Sequence, residues 1–208
     1  MQHSSFLNYI DKYIDLTEKE IDFLRSNTSY KKYLKGEYIV QQGTICKHTN
    51  FIISGCTINF YIDQKGQEHI VTFAIENWWS ADISSFITQA PSDFNVKCLE
   101  DTEVIQFTYQ NQDKIFQHIP KMETLFRKLL EKALVASQKR IVNNFSLSAK
   151  DQYLYFKTQY SNIEQRVPQY MVASYLGITN SANKFFKVFF ILNVFIIFVL
   201  TNNKKNFY

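Results

Sequence analysis

The stretch Thr57-Ile58-Asn59-Phe60-Tyr61-Ile62 alternates in character, turns at Asp63-Gln64-Lys65-Gly66, and alternates again through His69-Ile70-Val71-Thr72-Phe73-Ala74-Ile75. A period of two puts successive side chains on opposite faces of an extended chain, so each run reads as a strand. An Asp followed by Gly between two such runs is hairpin chemistry, because glycine reaches positive φ without steric cost. The same period holds over residues 30–109. Val104, Gln106 and Thr108 alternate with Ile105, Phe107 and Tyr109, and Gly36, Gly43, Gly55 and Gly66 punctuate the runs. Short strands with a turn roughly every eight to twelve residues predict a β-sandwich or barrel.

Outside this block the period is helical. Toward the N-terminus, Phe6, Leu7, Ile10, Ile14, Ile21 and Leu24 recur at helical spacing with a break near Leu16, and Thr17 with Glu20 forms a capping box that starts a second helix. After Pro120, an apolar stripe runs through Met122, Leu125, Phe126, Leu129, Leu130, Ala133, Leu134, Ala136, Ile141 and Val142. Two readings stand side by side: a helix packed on its own sheet, or a dimerisation helix whose small Ala133 and Ala136 permit close approach. Residues 146–150 break the pattern and read as an interdomain joint. A helix over 151–160 and a polar loop follow, then a helix opened by Pro168 that runs through Leu176 and ends at Gly177. Two helices around a short Gly-containing turn have the helix-turn-helix spacing.

Composition bounds the function classes. A chain of 208 residues allows one large domain or two small ones, and 46% hydrophobic with 20% charged residues excludes wholesale disorder. Three cysteines, an odd number, argue against a disulfide scaffold and fit a reducing compartment. Asp11, Asp15 and Glu18 stand where a secretory signal needs an apolar core, so the cytoplasm is expected. The net charge of +4 comes from Lys184, Lys187, Lys204 and Lys205, because residues 1–180 carry equal numbers of basic and acidic side chains. A case for nucleic-acid binding therefore rests on local features.

Signals of catalysis are missing. There is no Gly-rich phosphate loop, nucleophile elbow or zinc-protease motif. Cys46, His48, Cys56, His69 and Cys98 lack metal-ligand spacing and read as buried thiols and a surface histidine. A cupin-like barrel enzyme needs a His and Glu cluster that His69 alone does not provide. The expectation is a non-enzyme without metal or cofactor. Trp78-Trp79, followed by Ser80, Asp82, Ser84 and Ser85, either lines a small-molecule pocket or fills a barrel end. Residues 185–200 carry six Phe, interrupted by Lys187 and Asn193, and fall short of the ~20 apolar residues of a spanning helix. The Phe, Asn, Lys, Ile and Val alphabet of 181–208 is what out-of-frame translation of AT-rich DNA yields. No membrane partner is expected.

Three stretches carry a family resemblance: Lys35-Gly36-Glu37 to Gln42-Gly43; Phe51-Ile52-Ile53-Ser54-Gly55; and Arg166-Val167-Pro168-Gln169 to Ala173-Ser174-Tyr175-Leu176-Gly177-Ile178-Thr179. Over roughly residues 5–179 the chain resembles the Crp/Fnr family of bacterial transcription regulators, in its Bacteroidetes-type branch. The resemblance implies an α+β fold with three parts: a cyclic-nucleotide-binding-like β jelly roll (1–111), a long dimerisation helix (112–146) and a winged helix-turn-helix (147–208) altered from about residue 180. It implies a homodimer through the 112–145 helix, promoter DNA as partner, and a small effector.

Two departures qualify the resemblance. Cyclic-nucleotide binders hold the ribose and phosphate with a Gly-Glu-Leu turn and a later Arg-Ser or Arg-Thr pair. The corresponding regions here read Glu76-Asn77-Trp78-Trp79-Ser80 and Asp93-Phe94-Asn95, so a cyclic phosphate lacks its charge-assisted anchor and cyclic AMP is not the expected effector. The absence of an N-terminal Cys cluster speaks against iron–sulfur sensing. Effector contacts are expected from Trp78, Trp79, Ser80, Ser84, Ser85, Asn95 and Lys97, with Ser137 and Gln138 closing the site. DNA contacts are expected from Gln169, Thr179, Ser181, Asn183, Lys184 and Lys187. No Arg follows Thr179 to grip guanine. The alternative is therefore a sensor and dimerisation module that has lost DNA binding.

Overall fold

The computed structural model describes residues 3–178. Helices α1 (Ser4–Ile10) and α2 (Glu18–Ser26) lead into strands β1 (Ser29–Tyr33), β2 (Tyr38–Val40), β3 (His48–Ser54), β4 (Thr57–Ile62), β5 (Glu68–Ala74) and β6 (Trp79–Ser80). Helix α3 (Ile83–Thr88) precedes β7 (Asn95–Cys98) and β8 (Thr102–Thr108). The rest is helical: α4 (Tyr109–His118), α5 (Pro120–Ser146), α6 (Ala149–Gln159), α7 (Ser161–Glu164) and α8 (Gln169–Leu176).

The strands form a sandwich of two four-stranded antiparallel sheets, ordered β1-β8-β3-β6 and β2-β7-β4-β5. The β4–β5 hairpin turns as its sequence requires. Gly66 takes φ 76°, its N–H donates to the Asp63 carbonyl at 2.9 Å, and the Asp63 carboxylate accepts from the N–H groups of Lys65 and Gln67. At the N-terminus, the Thr17 hydroxyl and the Glu20 carboxylate close the capping box that opens α2.

The strands differ from a one-sided alternation. Phe51, Ile105 and Phe107 sit in a cluster with Phe6 of α1, Ile115 of α4, and Met122, Leu125, Phe126 and Leu129 of α5. Their neighbours Ile52 and Val104 lie in a second cluster. Strands β3 and β8 of the first sheet are thus buried on both faces, one of them beneath helices, while β1 stays largely exposed. Trp79 is central to the helix-covered face, its ring 4.6 Å from that of Phe126, 5.2 Å from Phe107 and 5.6 Å from Phe51.

The expected single helix over 112–146 is instead two. Ile119 (φ −128°, ψ 77°) separates α4 from α5. It precedes Pro120, whose ring disfavours helical geometry in the residue before it, while Pro itself suits the first turn of the next helix. The expected polar loop after residue 160 contains the short α7, and Gly177 ends α8 in the left-handed conformation (φ 61°), with the Gly177 and Ile178 N–H groups returning to the Ser174 and Ala173 carbonyls.

The C-terminal helices share the core of the sandwich. Phe156, Ile163, Val167, Met171, Val172 and Leu176 belong to the same buried cluster as Phe73 and Trp78. Strand β5 lies at the edge of its sheet, and side chains from the helices satisfy two of its backbone groups. Ile70 N–H donates to Ser174 Oγ at 3.0 Å, and Arg140 Nη1 donates to the Val71 carbonyl at 2.6 Å. Arg140 also lies 4.7 Å from the centroid of the Tyr175 ring.

Gly55, at the β3–β4 turn, has φ 105°, and a Cβ there would meet Thr102 Oγ1 at 2.5 Å and the Asp101 carbonyl at 2.6 Å. Gly36 (φ 90°) has open space around the same position. Gly55→Ala is expected to cost at least about 3 kcal/mol in urea unfolding, against about 1 kcal/mol for Gly36→Ala, because only the first adds a backbone clash to an unfavourable φ.

Candidate functional site

The segment from β6 to β7 carries most of the residues expected to face an effector. Consecutive side chains of an extended segment point apart, and Trp78 and Trp79 accordingly enter different clusters. Trp79 fills the space beneath α1 and α5, while the Trp78 ring meets that of Tyr160 edge-on at 6.2 Å. Ser80 is buried, its hydroxyl 3.0 Å from Thr57 Oγ1 of the facing sheet. Its carbonyl accepts from Asn50 Nδ2, and Asn50 Oδ1 in turn accepts from Gln106 Nε2 at 2.7 Å. A polar chain Gln106–Asn50–Ser80–Thr57 therefore crosses the sandwich interior.

Beyond Ser80 the organising group is the buried Asp82. It caps α3, with Oδ1 accepting from the N–H groups of Ser84 (3.0 Å) and Ser85 (3.2 Å), and Oδ2 accepting from Ser92 Oγ at 2.6 Å. The carboxylate thus occupies the positive end of the short helix, where an anionic ligand group would otherwise be stabilised. Ser85 Oγ accepts from Cys46 N–H and donates to the Ala90 carbonyl. Asn95 Oδ1 accepts from Gln42 N–H at 3.0 Å.

Positive charge is scarce here. Residues 76–96 contain no Lys or Arg, and Lys97 places its Nζ 5.1 Å from the centroid of the Tyr38 ring. Ser84 is half-buried, as is Ser137 on α5, while Gln138 is exposed; among the described residues no hydrogen bond joins Ser137 or Gln138 to residues 80–97. The structure thus ties Ser84 and Ser85 to Asp82, which also holds Ser92, gives Ser80 and Asn95 separate partners in Thr57 and Gln42, and leaves Ser137 and Gln138 unconnected to them. Gln169 is exposed at the start of α8. Thr179, Ser181, Asn183, Lys184, Lys187 and the Phe-rich segment lie outside the described residues.

Burial pushes the thiols of Cys46 and Cys98 up to about 11 and that of Cys56 up to about 12, which keeps them protonated and unreactive at neutral pH. Among the described residues no group of His, Cys, Asp and Glu is arranged to hold a metal ion, and no helix is long and apolar enough to cross a membrane.

The most concentrated charge cluster was not among the expected site residues. Arg166, between α7 and α8, grips two carboxylates at once. Nη1 and Nη2 donate to Glu76 at 2.7 and 3.0 Å, while Nε and Nη2 donate to Glu100 at 3.0 and 2.5 Å. Glu76 Oε1 also accepts from Gly55 N–H at 2.8 Å. Glu76, expected in the effector turn, belongs instead to this clamp. Burial pushes its carboxyl up, but hydrogen bonds from Arg166, its own backbone N–H and Gly55 outweigh that effect and hold it below the ordinary glutamate value. Hydrogen bonds that it donates to both carboxylates raise the Arg166 guanidinium above its already high value.

Magnitudes assign the clamp its role. Six buried apolar side chains at ~1.5–3 kcal/mol each give the C-terminal helices on the order of ten kcal/mol of docking energy as an upper bound. Partly exposed ion pairs contribute about 1 kcal/mol or less each after solvent screening. The apolar contacts hold α6–α8 to the sandwich, and the bidentate guanidinium decides where the α7–α8 end sits.

Known proteins place this geometry. Residues 30–119 match the family model of the cyclic nucleotide-binding domain. The sensor domain of the transcriptional regulator DNR from Pseudomonas aeruginosa is similar over 70% of this chain and 95% of its own, with 19% identity and a TM-score of 0.52. The c-di-GMP responsive global regulator CLP from Xanthomonas campestris is similar over 69% of this chain and 72% of its own, with 13% identity and a TM-score of 0.57. FixK2 from Bradyrhizobium japonicum is similar over 72% of this chain and 77% of its own, with 12% identity and a TM-score of 0.61. At such identities the likeness is one of fold. No curated protein sequence matches the chain.

Asp82→Ala leaves two amide N–H groups without their acceptor and takes from the Ser92 hydroxyl one of its two acceptors, the other being the Phe94 carbonyl, and is expected to cost about 2 kcal/mol in urea unfolding. A carboxylate whose folded value is depressed stabilises above its unfolded value and loses that contribution as pH falls through the folded one. Wild-type stability should therefore fall more steeply than that of Glu76→Gln as urea titrations are taken below pH 4.5, the ordinary value of this carboxyl, and equal slopes would remove the clamp from the pH response.

Proposed function

We propose that the chain is a dimeric DNA-binding transcription regulator of the Crp/Fnr type. In this reading residues 1–111 sense a small effector, 112–146 join two copies and 147–208 read promoter DNA. The observation that carries it is the surface of α5. This helix of 27 residues stands between the sandwich and the C-terminal helices, and past Ala133 it leaves Leu134, Val135, Val142 and Phe145 exposed, with Val142 at 60% and Phe145 at 66%. Val135 and Val142 are seven residues apart, as are Gln138 and Phe145, the repeat of a two-stranded helical seam. A second copy of α5 covers such a stripe, and a two-fold dimer sets two reading units about one DNA turn, ~34 Å, apart.

The effector of this reading is not a cyclic phosphate. No cationic side chain stands among residues 76–96, and the Asp82 carboxylate already holds the start of α3, so an anion entering there meets repulsion instead of a guanidinium. The second reading, a sensor and dimerisation module without DNA binding, draws support from the sequence beyond Thr179, which contains Phe and Lys but no Arg.

Three measurements bear on this. A mobility shift with the promoter DNA beside the chain's own gene, at roughly 50 and 200 mM salt, should give a specific complex that weakens sharply at the higher value. A folded dimer that gives none would leave the module reading. Val142→Glu puts charge into the seam and should convert the dimer to a monomer in light scattering, with the circular dichroism spectrum retained. Calorimetric titration with cyclic AMP should show no saturable heat.

A further inference from the structure

Arg166 meets the sandwich at one end, where three turns come together. Gly55 belongs to the β3–β4 turn, Glu76 to the β5–β6 connection and Glu100 to the β7–β8 turn. From Glu76 the chain runs directly toward Asp82, and this short segment is tied along its length to β3. Asn77 N–H donates to the Ile52 carbonyl, Ile52 N–H donates to the Trp78 carbonyl, and Trp79 and Ser80 pair with Phe51 and Asn50. Asn77 adopts φ 66°, which fixes the bend at the clamp end. The segment is therefore a short rod with the Asp82–Ser92 network at one end and the Arg166 clamp at the other. Beyond Arg166 the chain has only Val167 and Pro168 before α8 begins.

We infer that Arg166 is a positioning residue that couples the β6–α3 segment to α8, so that a displacement around Asp82 moves Glu76 and is passed through the guanidinium to the C-terminal helices. This gives the sensor reading above a route of regulation and rests on that reading. The apolar contacts are non-directional, whereas a fork bound to two carboxylates has a fixed geometry and follows a small displacement of either one. Glu76 titrates below the ordinary glutamate range, so the clamp stays charged across the pH range where proteins normally work, and its trigger is displacement instead of protonation. Coupling of this kind has to be demonstrated as an interaction between two sites.

Ile70 N–H supplies a reporter amide because its partner, Ser174 Oγ, lies on α8. Hydrogen exchange of the full chain is measured for wild type, Arg166→Met, Asp82→Ala and the double variant, with Ser92→Ala as the milder change should Asp82→Ala fail to fold. Arg166→Met is expected to speed exchange at Ile70 and in α8 by about tenfold while Phe51 and Phe107 are unchanged. Asp82→Ala, or Ser92→Ala, is expected to speed the same amides in the wild-type background and to add nothing once Arg166 is gone. Equal effects in both backgrounds, no effect at α8, or acceleration at Ile70 and α8 no greater than at Phe51 and Phe107 would overturn the coupling. The measurement uses neither DNA nor effector, so its failure is distinguishable from failure of the regulator reading in the mobility shift.

Discussion

The aromatic layer beneath α1 and α5 is what the remaining structure depends on. Phe51, Trp79 and Phe107 project from three neighbouring strands of one sheet and are closed over by Phe6 and Phe126. A sandwich ordinarily keeps its outer faces wet, but here this sheet presents rings that only helices can cover. That requirement brings α1 back onto the sheet, sets the first half of α5 along it, and leaves Leu134, Val135, Val142 and Phe145 of its second half exposed. The exposed stripe of α5 therefore begins where the aromatic layer it covers ends.

The second sheet is covered differently. Its edge strand β5 faces α8, and hydrogen bonds from side chains of α5 and α8 replace the backbone pairing that an edge lacks. Apolar burial supplies the energy of this contact, while Arg166 supplies its geometry. The division matters because energy and geometry are then set by different side chains. A non-directional core allows sliding, and a two-carboxylate clamp defines the position from which sliding begins.

Within the sandwich the polar side chains satisfy one another. Asp82 satisfies the start of α3, Ser80 and Thr57 link the sheets, and Asn95 is held by Gln42. The region retains the layout of the cyclic nucleotide-binding domain that residues 30–119 match, but its charge is of the opposite sign to that of an anion-binding site. Fold and ligand chemistry are separate properties, and the second is set by a few side chains on a shared frame.

Much of the architecture was legible in the chain because its causes are local. The capping box at Thr17, the Asp63–Gly66 turn and the Gly177 stop each act through neighbours a few residues away, and the change of period at residue 30 separates helix from strand, whereas the break at Ile119 was missed although Pro120 was in view. The presence of Trp78-Trp79 was equally visible, but whether the rings line a pocket or fill the fold was not, since that depends on Phe6 and Phe126, far away in sequence. The same holds for the clamp. Glu76, Glu100 and Arg166 are unremarkable charges in three separate segments, and nothing in their spacing signals that they meet. The sequence by itself determined the elements, their order and the absence of a basic anchor between residues 76 and 96. Only the tertiary structure decided which charges pair, because ion pairs and ring contacts form between distant residues whose approach is set by the packing of whole elements.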